Sequence, residues 1–121
     1  MERKKALFTI LGIIFAVSLS DSICYRLIKE NVKRDRPEQS GVEVRLLTHS
    51  HSGYSFPSIH ASNIFAAAVI LRFAYPFLRT FVYLIAMFVG YSRIYVGVHY
   101  PLDVIGGAIV GFFCAFFILH I

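Results

Sequence analysis

Charged residues are scarce in this sequence. Only 16% of the 121 residues are charged, whereas 57% are hydrophobic, and the mean hydropathy is +0.66. Soluble domains carry about 25% charged residues. The composition therefore excludes an ordinary soluble domain and indicates an integral membrane protein, and the length allows one compact domain over residues 1–121.

Cysteine is equally scarce, since only Cys24 and Cys114 are present. Both lie within apolar segments, but at different expected depths. At 1.5 Å rise per residue they would lie about 7 Å and about 20 Å from the corresponding ends of their helices. The sequence therefore predicts two buried free thiols and neither a disulfide nor a redox site.

Acidic residues are outnumbered by basic ones, which gives a formal net charge of +5. The basic residues cluster at the ends of apolar segments and do not line a soluble face. This distribution favours anionic lipid or phosphate as the partner and argues against nucleic acid.

Apolar segments of membrane-spanning length predict an all-α integral membrane bundle of about four transmembrane helices. The first begins like a signal peptide, but no small-residue cleavage site follows it, so we expect a retained helix. The polar residues 38–56 form a loop outside the membrane in this interpretation. The expected segments are Ala6 to Ile28, Pro57 to Tyr75, Phe77 to Tyr95 and Pro101 to Ile121.

Two local patterns refine this expectation. The first helix is predicted to continue beyond the membrane until Pro37, which would place Arg26, Lys29, Lys33 and Arg36 on one face as a basic ridge. That ridge alone would also suit a snorkelling, headgroup-binding helix end. In the last segment, the small-xxx-small pair Gly107 and Gly111 predicts close helix packing.

Alternating helix direction brings polar residues from all four segments to one face of the membrane. The opposite face carries mainly cations, including Arg72 and Arg79, and the positive-inside rule makes that face cytoplasmic. The polar site would then face outward. Its predicted members are Lys29, Arg36, Ser58, His60, Arg93, His99 and Asp103.

Three of these residues are cations that suit a phosphate group, namely Lys29, Arg36 and Arg93. Ser58 and the unpaired N–H groups at the start of the second helix add neutral donors. The alternative interpretation of this segment is that Ser58 is an ordinary helix cap and His60 a surface histidine.

The remaining residues predict phosphoryl transfer through a covalent intermediate. Asp103 lies in the first turn of the last helix and can fix the tautomer of His99, which leaves the other ring nitrogen free to attack phosphorus. His60 would protonate the leaving group and then activate water. The cations supply the electrostatic stabilisation, so no metal or other cofactor is expected.

A metal centre is the alternative chemical interpretation. In it, His60, His99 and Asp103 would be ligands, joined by His49 or His51 from the polar loop. The neighbouring cations would repel a divalent ion, which disfavours this arrangement.

Three stretches resemble, in order and spacing, the signatures K-x6-RP, PSGH and SR-x5-H-x3-D of the type 2 phosphatidic acid phosphatase family, also called lipid phosphate phosphatases. They are Lys29 to Pro37, Pro57 to His60 and Ser92 to Asp103. The resemblance implies the same residue roles as above, with a phosphohistidine intermediate. Ile59 replaces the usual glycine of the second signature, which places a side chain at the phosphate turn.

Membrane members of this family resemble six-helix bundles whose first signature follows the third helix. Here the signature follows the first predicted span, so the chain would correspond to a six-helix core without its first two helices, or would take partner helices from another copy in a homo-oligomer. The expected substrates are undecaprenyl diphosphate, phosphatidylglycerol phosphate, phosphatidic acid and lipid A 1-phosphate, at the outer face of a bacterial-type inner membrane. A non-catalytic anionic-lipid-binding protein or a transporter subunit is the competing hypothesis.

Overall fold

A computed structural model describes residues 1–41, 46 and 53–121, and all regular structure within these ranges is helical. Helix α1, Glu2–Ser22, continues without interruption as a π-helix, Ile23–Lys29, and a final turn, Glu30–Val32. Helices α2, α3 and α4 follow as Ile59–Ala74, Arg79–Tyr95 and Pro101–Leu119. Short 3-10 turns occupy Pro37–Gln39 and Pro76–Leu78.

The helical architecture is that of a multi-pass membrane protein, as predicted. The stretches Glu2–Gln39, Pro76–Tyr95 and Pro101–Leu119 are long and apolar enough to cross a membrane, and Ile59–Ala74 is a shorter apolar helix. Helix bounds differ from the expected segments by a few residues, which is the usual uncertainty at helix ends.

Large apolar side chains lie on the outside of the bundle and small ones lie inside. Phe77, Phe88 and Phe113 are more than 70% exposed, whereas Ala16 and Ala66 are fully buried. A water-soluble bundle would bury its phenylalanines, so this inversion fits an exterior solvated by lipid and an interior of closely approaching helices.

Helices α2 and α4 pack closely because α4 presents glycine at the contact. A Cβ atom added at Gly107 would overlap the carbonyl oxygen of Ser58, and one added at Gly111 would overlap the carbonyl oxygen of Ser62. The prediction that these glycines serve packing is confirmed. The contact also ties the start of α2 to the first turns of α4.

The predicted basic ridge at the end of the first helix is wrong. The helix ends at Val32, and Lys33 adopts a left-handed conformation with φ 53° that turns the chain back towards the bundle. The wider π-helical turn before it also shifts the side-chain register away from a 3.6-residue period. As a result Lys29 and Arg36 are buried, at 4% and 7% exposure, whereas Arg26 and Lys33 are exposed.

The start of α2 differs slightly from the expectation that Pro57 is its first residue. Ser58 is the N-cap and Ile59 the first helical residue, so Pro57 precedes the helix. The Ser58 hydroxyl accepts a hydrogen bond from the Ala61 N–H, at 3.3 Å. The capping role considered for Ser58 is therefore present.

Candidate active site

The connection between α3 and α4 carries the central histidine. Gly97 has φ 89°, a left-handed conformation that favours glycine, and it allows the chain to reverse between the two helices. Val98 and His99 follow this turn and are both buried. The turn therefore brings the His99 ring inside the bundle, next to the residues at the other helix ends.

His99 lies between Arg36 and Asp103, which contact opposite nitrogens of its ring. The Nη1 atom of Arg36 is 3.2 Å from Nε2, and the Oδ2 atom of Asp103 is 3.5 Å from Nδ1. A guanidinium can only donate, so Nε2 is the acceptor and the ring proton resides on Nδ1. This arrangement places a lone pair on the nitrogen that faces the cations.

The contact between His99 and Asp103 is longer than a well-formed hydrogen bond. Nδ1 is buried and makes no hydrogen bond of good geometry, although the carboxylate is 3.5 Å away. Catalytic hydrogen bonds are often long without substrate and shorten in the reacting complex.

Asp103 is held in place from several directions. It is completely buried, and its Oδ2 atom accepts a hydrogen bond from the Tyr100 N–H at 2.7 Å. Its Oδ1 atom is 3.4 Å from Nη1 of Arg34, and its carbonyl oxygen accepts from the Ser58 N–H at 2.9 Å. Asp103 therefore connects the start of α4 to the start of α2 through its carbonyl oxygen, and to the segment that follows α1 through its carboxylate.

Two buried cations, Lys29 and Arg36, lie near the His99 ring, and Arg36 contacts its Nε2 atom. Lys29 donates through Nζ to the carbonyl oxygen of Tyr54 at 2.6 Å, and Arg36 donates through Nη1 to the carbonyl oxygen of Val98 at 3.2 Å. The Nε atom of Arg36 is buried and has no acceptor among the described residues. The charges of Lys29 and Arg36 act on each other, and the negative charges of Glu38 and Asp103 offset part of the charge on Arg36.

The structure places the other predicted site residues at the same end of the bundle. Arg93 lies in the last turn of α3, half-buried, and its charge acts on Arg36. His60 is the second residue of α2 and is exposed. Of the predicted set, the direct contacts given above link Arg36 with His99, His99 with Asp103, and Asp103 with Ser58.

Burial is the main reason that the pKa of His99 lies below its ordinary value of 6.5. The contact with Asp103 opposes this effect, and the positive charges of Arg36 and Lys29 add to it. A lowered pKa favours the neutral ring, in which Nε2 carries no proton and accepts the hydrogen bond from Arg36.

The residues described by the structure give no support to a metal centre. Among them, no three His, Cys, Asp or Glu side chains are grouped so that they could hold a metal ion. His49 and His51, which the alternative interpretation invoked, lie outside the described residues. Cys24 and Cys114 are buried and unbonded.

Sequence reasoning missed Arg34, which lies inside the first signature as an apparently variable position. Its guanidinium contacts Asp103 and also lies over the Tyr100 ring, 4.2 Å from the ring centroid. Ser55 was missed as well; its N–H donates to the Arg34 carbonyl oxygen at 2.7 Å. The spacing of residues along the sequence predicts neither contact, because each contact joins residues that are far apart in the chain.

Comparison with known proteins identifies the family to which this chain belongs. The PAP2 superfamily profile matches residues 6–121. The chain is 33% identical over 127 aligned residues to a lipid A 4'-phosphatase of Bacteroides thetaiotaomicron, an alignment that covers 97% of the chain and 56% of that relative. The chain spans about half the length of the curated relatives it matches.

Two solved structures share the fold. The crystal structure of Aquifex aeolicus LpxE matches with a TM-score of 0.81 and 30% identity, over 93% of this chain and 68% of that one. The crystal structure of a transmembrane PAP2 type phosphatidylglycerolphosphate phosphatase from Bacillus subtilis matches with a TM-score of 0.63 and 31% identity, over 94% of this chain and 57% of that one.

Proposed function

The chain belongs to the PAP2 superfamily of membrane lipid phosphatases, and on that premise we propose that it removes a terminal phosphate from a membrane lipid through a phosphohistidine on His99, without a metal ion. The observation that carries this proposal is the position of His99, with Arg36 3.2 Å from Nε2 and Asp103 3.5 Å from Nδ1. One nitrogen is thus oriented by a carboxylate while the other faces a cationic region.

Substrate binding would give charge and hydrogen-bond partners to buried cationic side chains, which are costly to bury without them. Buried like charges are unfavourable unless an anion compensates them, and the Nε atom of Arg36 is a buried donor without an acceptor among the described residues. A phosphate dianion at this point would accept hydrogen bonds from Lys29, Arg36 and Arg93, with the Ser58 hydroxyl assisting. The same cations would stabilise the charge that develops on the phosphoryl oxygens.

The reaction would proceed in two displacements. Nε2 of His99 attacks phosphorus, the bond from phosphorus to the lipid oxygen breaks, and His60 gives its proton to that oxygen. Water then attacks the phosphohistidine, His60 takes a proton from the water, and the nitrogen–phosphorus bond breaks to release inorganic phosphate. Asp103 keeps the proton of His99 on Nδ1 and stabilises the positive ring in both steps.

A lipid A phosphate is the substrate that the similarities favour. A relative aligned over 97% of this chain is named a lipid A 4'-phosphatase. Undecaprenyl diphosphate, phosphatidylglycerol phosphate and phosphatidic acid carry the same terminal phosphate chemistry and are the alternative substrates.

The remaining parts of the proposal concern placement and assembly. We assign residues 1–121 to one PAP2-type domain in a bacterial inner membrane, with the site at the periplasmic face. The exposed cations Lys4, Lys5 and Arg79 at the opposite end support this orientation through the positive-inside rule. A second copy of the chain could supply further helices around the bundle.

Covalent trapping tests the mechanism. The purified protein in detergent is mixed with lipid A carrying ³²P-phosphate and quenched in alkali, because a phosphohistidine survives base and is lost in acid. We expect label on the peptide that contains His99, no label in His99→Ala, and the same phosphate release with and without EDTA.

Other outcomes would contradict the proposal. Label on another residue would reassign the nucleophile, and release that EDTA abolishes would indicate a metal enzyme. A folded protein that binds lipid phosphates but releases phosphate from none of them would be a non-catalytic anionic-lipid-binding protein. Arg79→Ala, at the opposite end of the bundle, is the control that should label like the unchanged protein.

A further inference from the structure

Arg34 holds the carboxylate of Asp103 on the side away from His99. Its Nη1 atom is 3.4 Å from Oδ1, whereas Oδ2 is the oxygen near the His99 ring. The Arg34 side chain is about one-third exposed and the carboxylate is fully buried. The ion pair therefore reaches from the surface into the closed part of the site.

The Arg34 guanidinium is itself held at a defined orientation. It lies 4.2 Å from the centroid of the Tyr100 ring, a distance suited to cation–π attraction. The Tyr100 hydroxyl is 2.7 Å from the Ser40 hydroxyl, and the Arg34 carbonyl oxygen accepts from the Ser55 N–H. Both the ring and the backbone around Arg34 are thus anchored.

Tyr100 completes the arrangement from the other side of the carboxylate. Its N–H donates to Oδ2 of Asp103 at 2.7 Å while its ring lies beneath the Arg34 guanidinium. A carboxylate can rotate about its bond to Cβ, and one hydrogen bond does not stop that rotation. Arg34 and the Tyr100 N–H on different oxygens, with the Ser55 side chain as a further donor, stop that rotation and direct the remaining lone pair of Oδ2 towards His99.

We propose that Arg34 is a positioning residue for the phosphatase reaction, which acts through Asp103 to keep His99 in its attacking orientation and tautomer. This inference rests on the proposed function of His99 as nucleophile. Arg34 is distinct from Lys29 and Arg36, because the contacts that define it are with the carboxylate and the tyrosine ring. It therefore affects the chemical step more than substrate binding.

Kinetics of matched variants test this role with a lipid phosphate substrate in detergent micelles. We expect Arg34→Gln to lower kcat on the order of 10- to 100-fold, the range usual for residues that orient a functional ligand, with KM changed by less than about twofold. Arg34→Lys should restore most of kcat because it keeps the charge. Lys33→Gln removes an exposed neighbouring cation and should match the unchanged protein.

The titration of the His99 ring supplies a readout that does not depend on turnover. The charged groups that face His99 are Asp103, Arg36 and Lys29. Without Arg34 the carboxylate can turn away from the ring, which weakens the contact that favours the protonated form of His99. NMR of ring-labelled histidine should therefore show a lower His99 pKa in Arg34→Gln and an unchanged one in Arg34→Lys.

Defined results would overturn the inference. A raised KM with unchanged kcat would mean that Arg34 binds the substrate, and equal losses in both Arg34 variants with an unaltered His99 titration would mean a purely structural role. If no lipid phosphate is hydrolysed, the proposed function fails, yet the titration still decides whether Arg34 acts on His99.

A second pair of variants keeps the test decisive if Arg34→Gln does not fold. Tyr100→Leu removes the ring beneath the guanidinium but keeps the N–H that binds Asp103, whereas Tyr100→Phe keeps both. We expect kcat to fall several-fold in Tyr100→Leu relative to Tyr100→Phe, about the effect of one exposed cation–π contact. Equal kcat values in the two variants would contradict the proposal.

Discussion

The two ends of the helix bundle use the same basic residue types in different ways. At one end Lys29 and Arg36 are buried together, within electrostatic range of each other. At the other end Lys4 and Arg79 are exposed, and Lys5 lies over the Tyr75 ring, 4.6 Å from its centroid. Of these cations, only Lys29 and Arg36 lie in a region from which water is largely excluded.

This difference separates binding chemistry from membrane anchoring. Exposed cations at a membrane interface reach lipid headgroups and water at little cost. Buried cations lose that solvation, and among the described residues Asp103 is the one fully buried carboxylate, while the half-buried Glu38 acts on Arg36. The site end would therefore gain far more from an added anion than the opposite end, which supports the phosphate site proposed above.

The largest expected effect comes from removing the charge of Asp103. Asp103→Asn keeps the size of the side chain, but its amide can donate to Nδ1 and so favour the wrong tautomer of His99. We expect kcat to fall on the order of 10³-fold or more, by analogy with catalytic triads. Initial rates of phosphate release in detergent micelles measure this, and a variant that keeps a tenth of the original kcat would show that Asp103 does not orient His99.

A pair of arginine variants compares the two ends directly. Arg36→Gln removes a buried cation beside Nε2 of His99, and we expect kcat/KM to fall by about 10²- to 10³-fold, the usual cost of losing one transition-state donor. Arg79→Gln removes an exposed cation at the opposite end and should leave kcat/KM unchanged. Similar losses in both variants would mean that net charge, and not the buried cluster, determines activity.

Glycine substitutions extend the comparison to packing. A Cβ at Gly107 would overlap the carbonyl oxygen of Ser58 at the site end, whereas one at Gly12 would meet Ile70 at an ordinary distance of 3.5 Å. We expect Gly107→Val to reduce the free energy of unfolding by about 1–3 kcal/mol. Gly12→Ala should raise it by about 0.5–1 kcal/mol, because alanine favours the helix.

Denaturation of the two glycine variants, followed by circular dichroism in the same detergent, measures these changes. Equal stability of the two variants would show that the contact between α2 and α4 relaxes freely around the added atoms. Phosphate release at low temperature then reports whether the site survives in the folded fraction of Gly107→Val.

The helices and the grouping of site residues could be predicted from the sequence because both follow from segment length and alternating direction. A span of apolar residues has few alternatives in a membrane, and helices that alternate must bring successive ends to the same face. These two rules alone predict that His99 and Asp103 lie together at one end of α4.

The path of the chain after α1 could not be predicted in this way. A 3.6-residue period treats Arg26, Lys29 and Arg36 alike, but the π-helix and the left-handed Lys33 change which of them point inward. Tertiary packing determines such departures from a regular helix, and local sequence patterns carry no information about that packing. The contact of Arg34 with Asp103 was missed for the same reason, since it depends on where this turn leads the chain.

The smallest expected effect is a lowered pKa of His99. This pKa measures how far water is excluded from the site end of the bundle. Burial lowers the pKa of His99 below 6.5, so the folded protein takes up this proton only at a more acidic pH than the unfolded chain. The corresponding stability is complete above the unfolded pKa and is lost as the pH falls through the folded one. The proposed attack requires the neutral ring. Phosphate release should therefore continue below pH 6.5, down to the lowered pKa of His99.

NMR of ring-labelled histidine, with the His99 signal identified by its loss in His99→Asn, measures this pKa directly. Asp103→Asn should lower it further, since both the contact with the carboxylate and its negative charge favour the protonated ring. A His99 pKa at or above 6.5 in Asp103→Asn, where no carboxylate raises it, would mean that water reaches the ring. The cations around it would then be solvated like those at the opposite end, and the buried cluster would lose its advantage for binding phosphate.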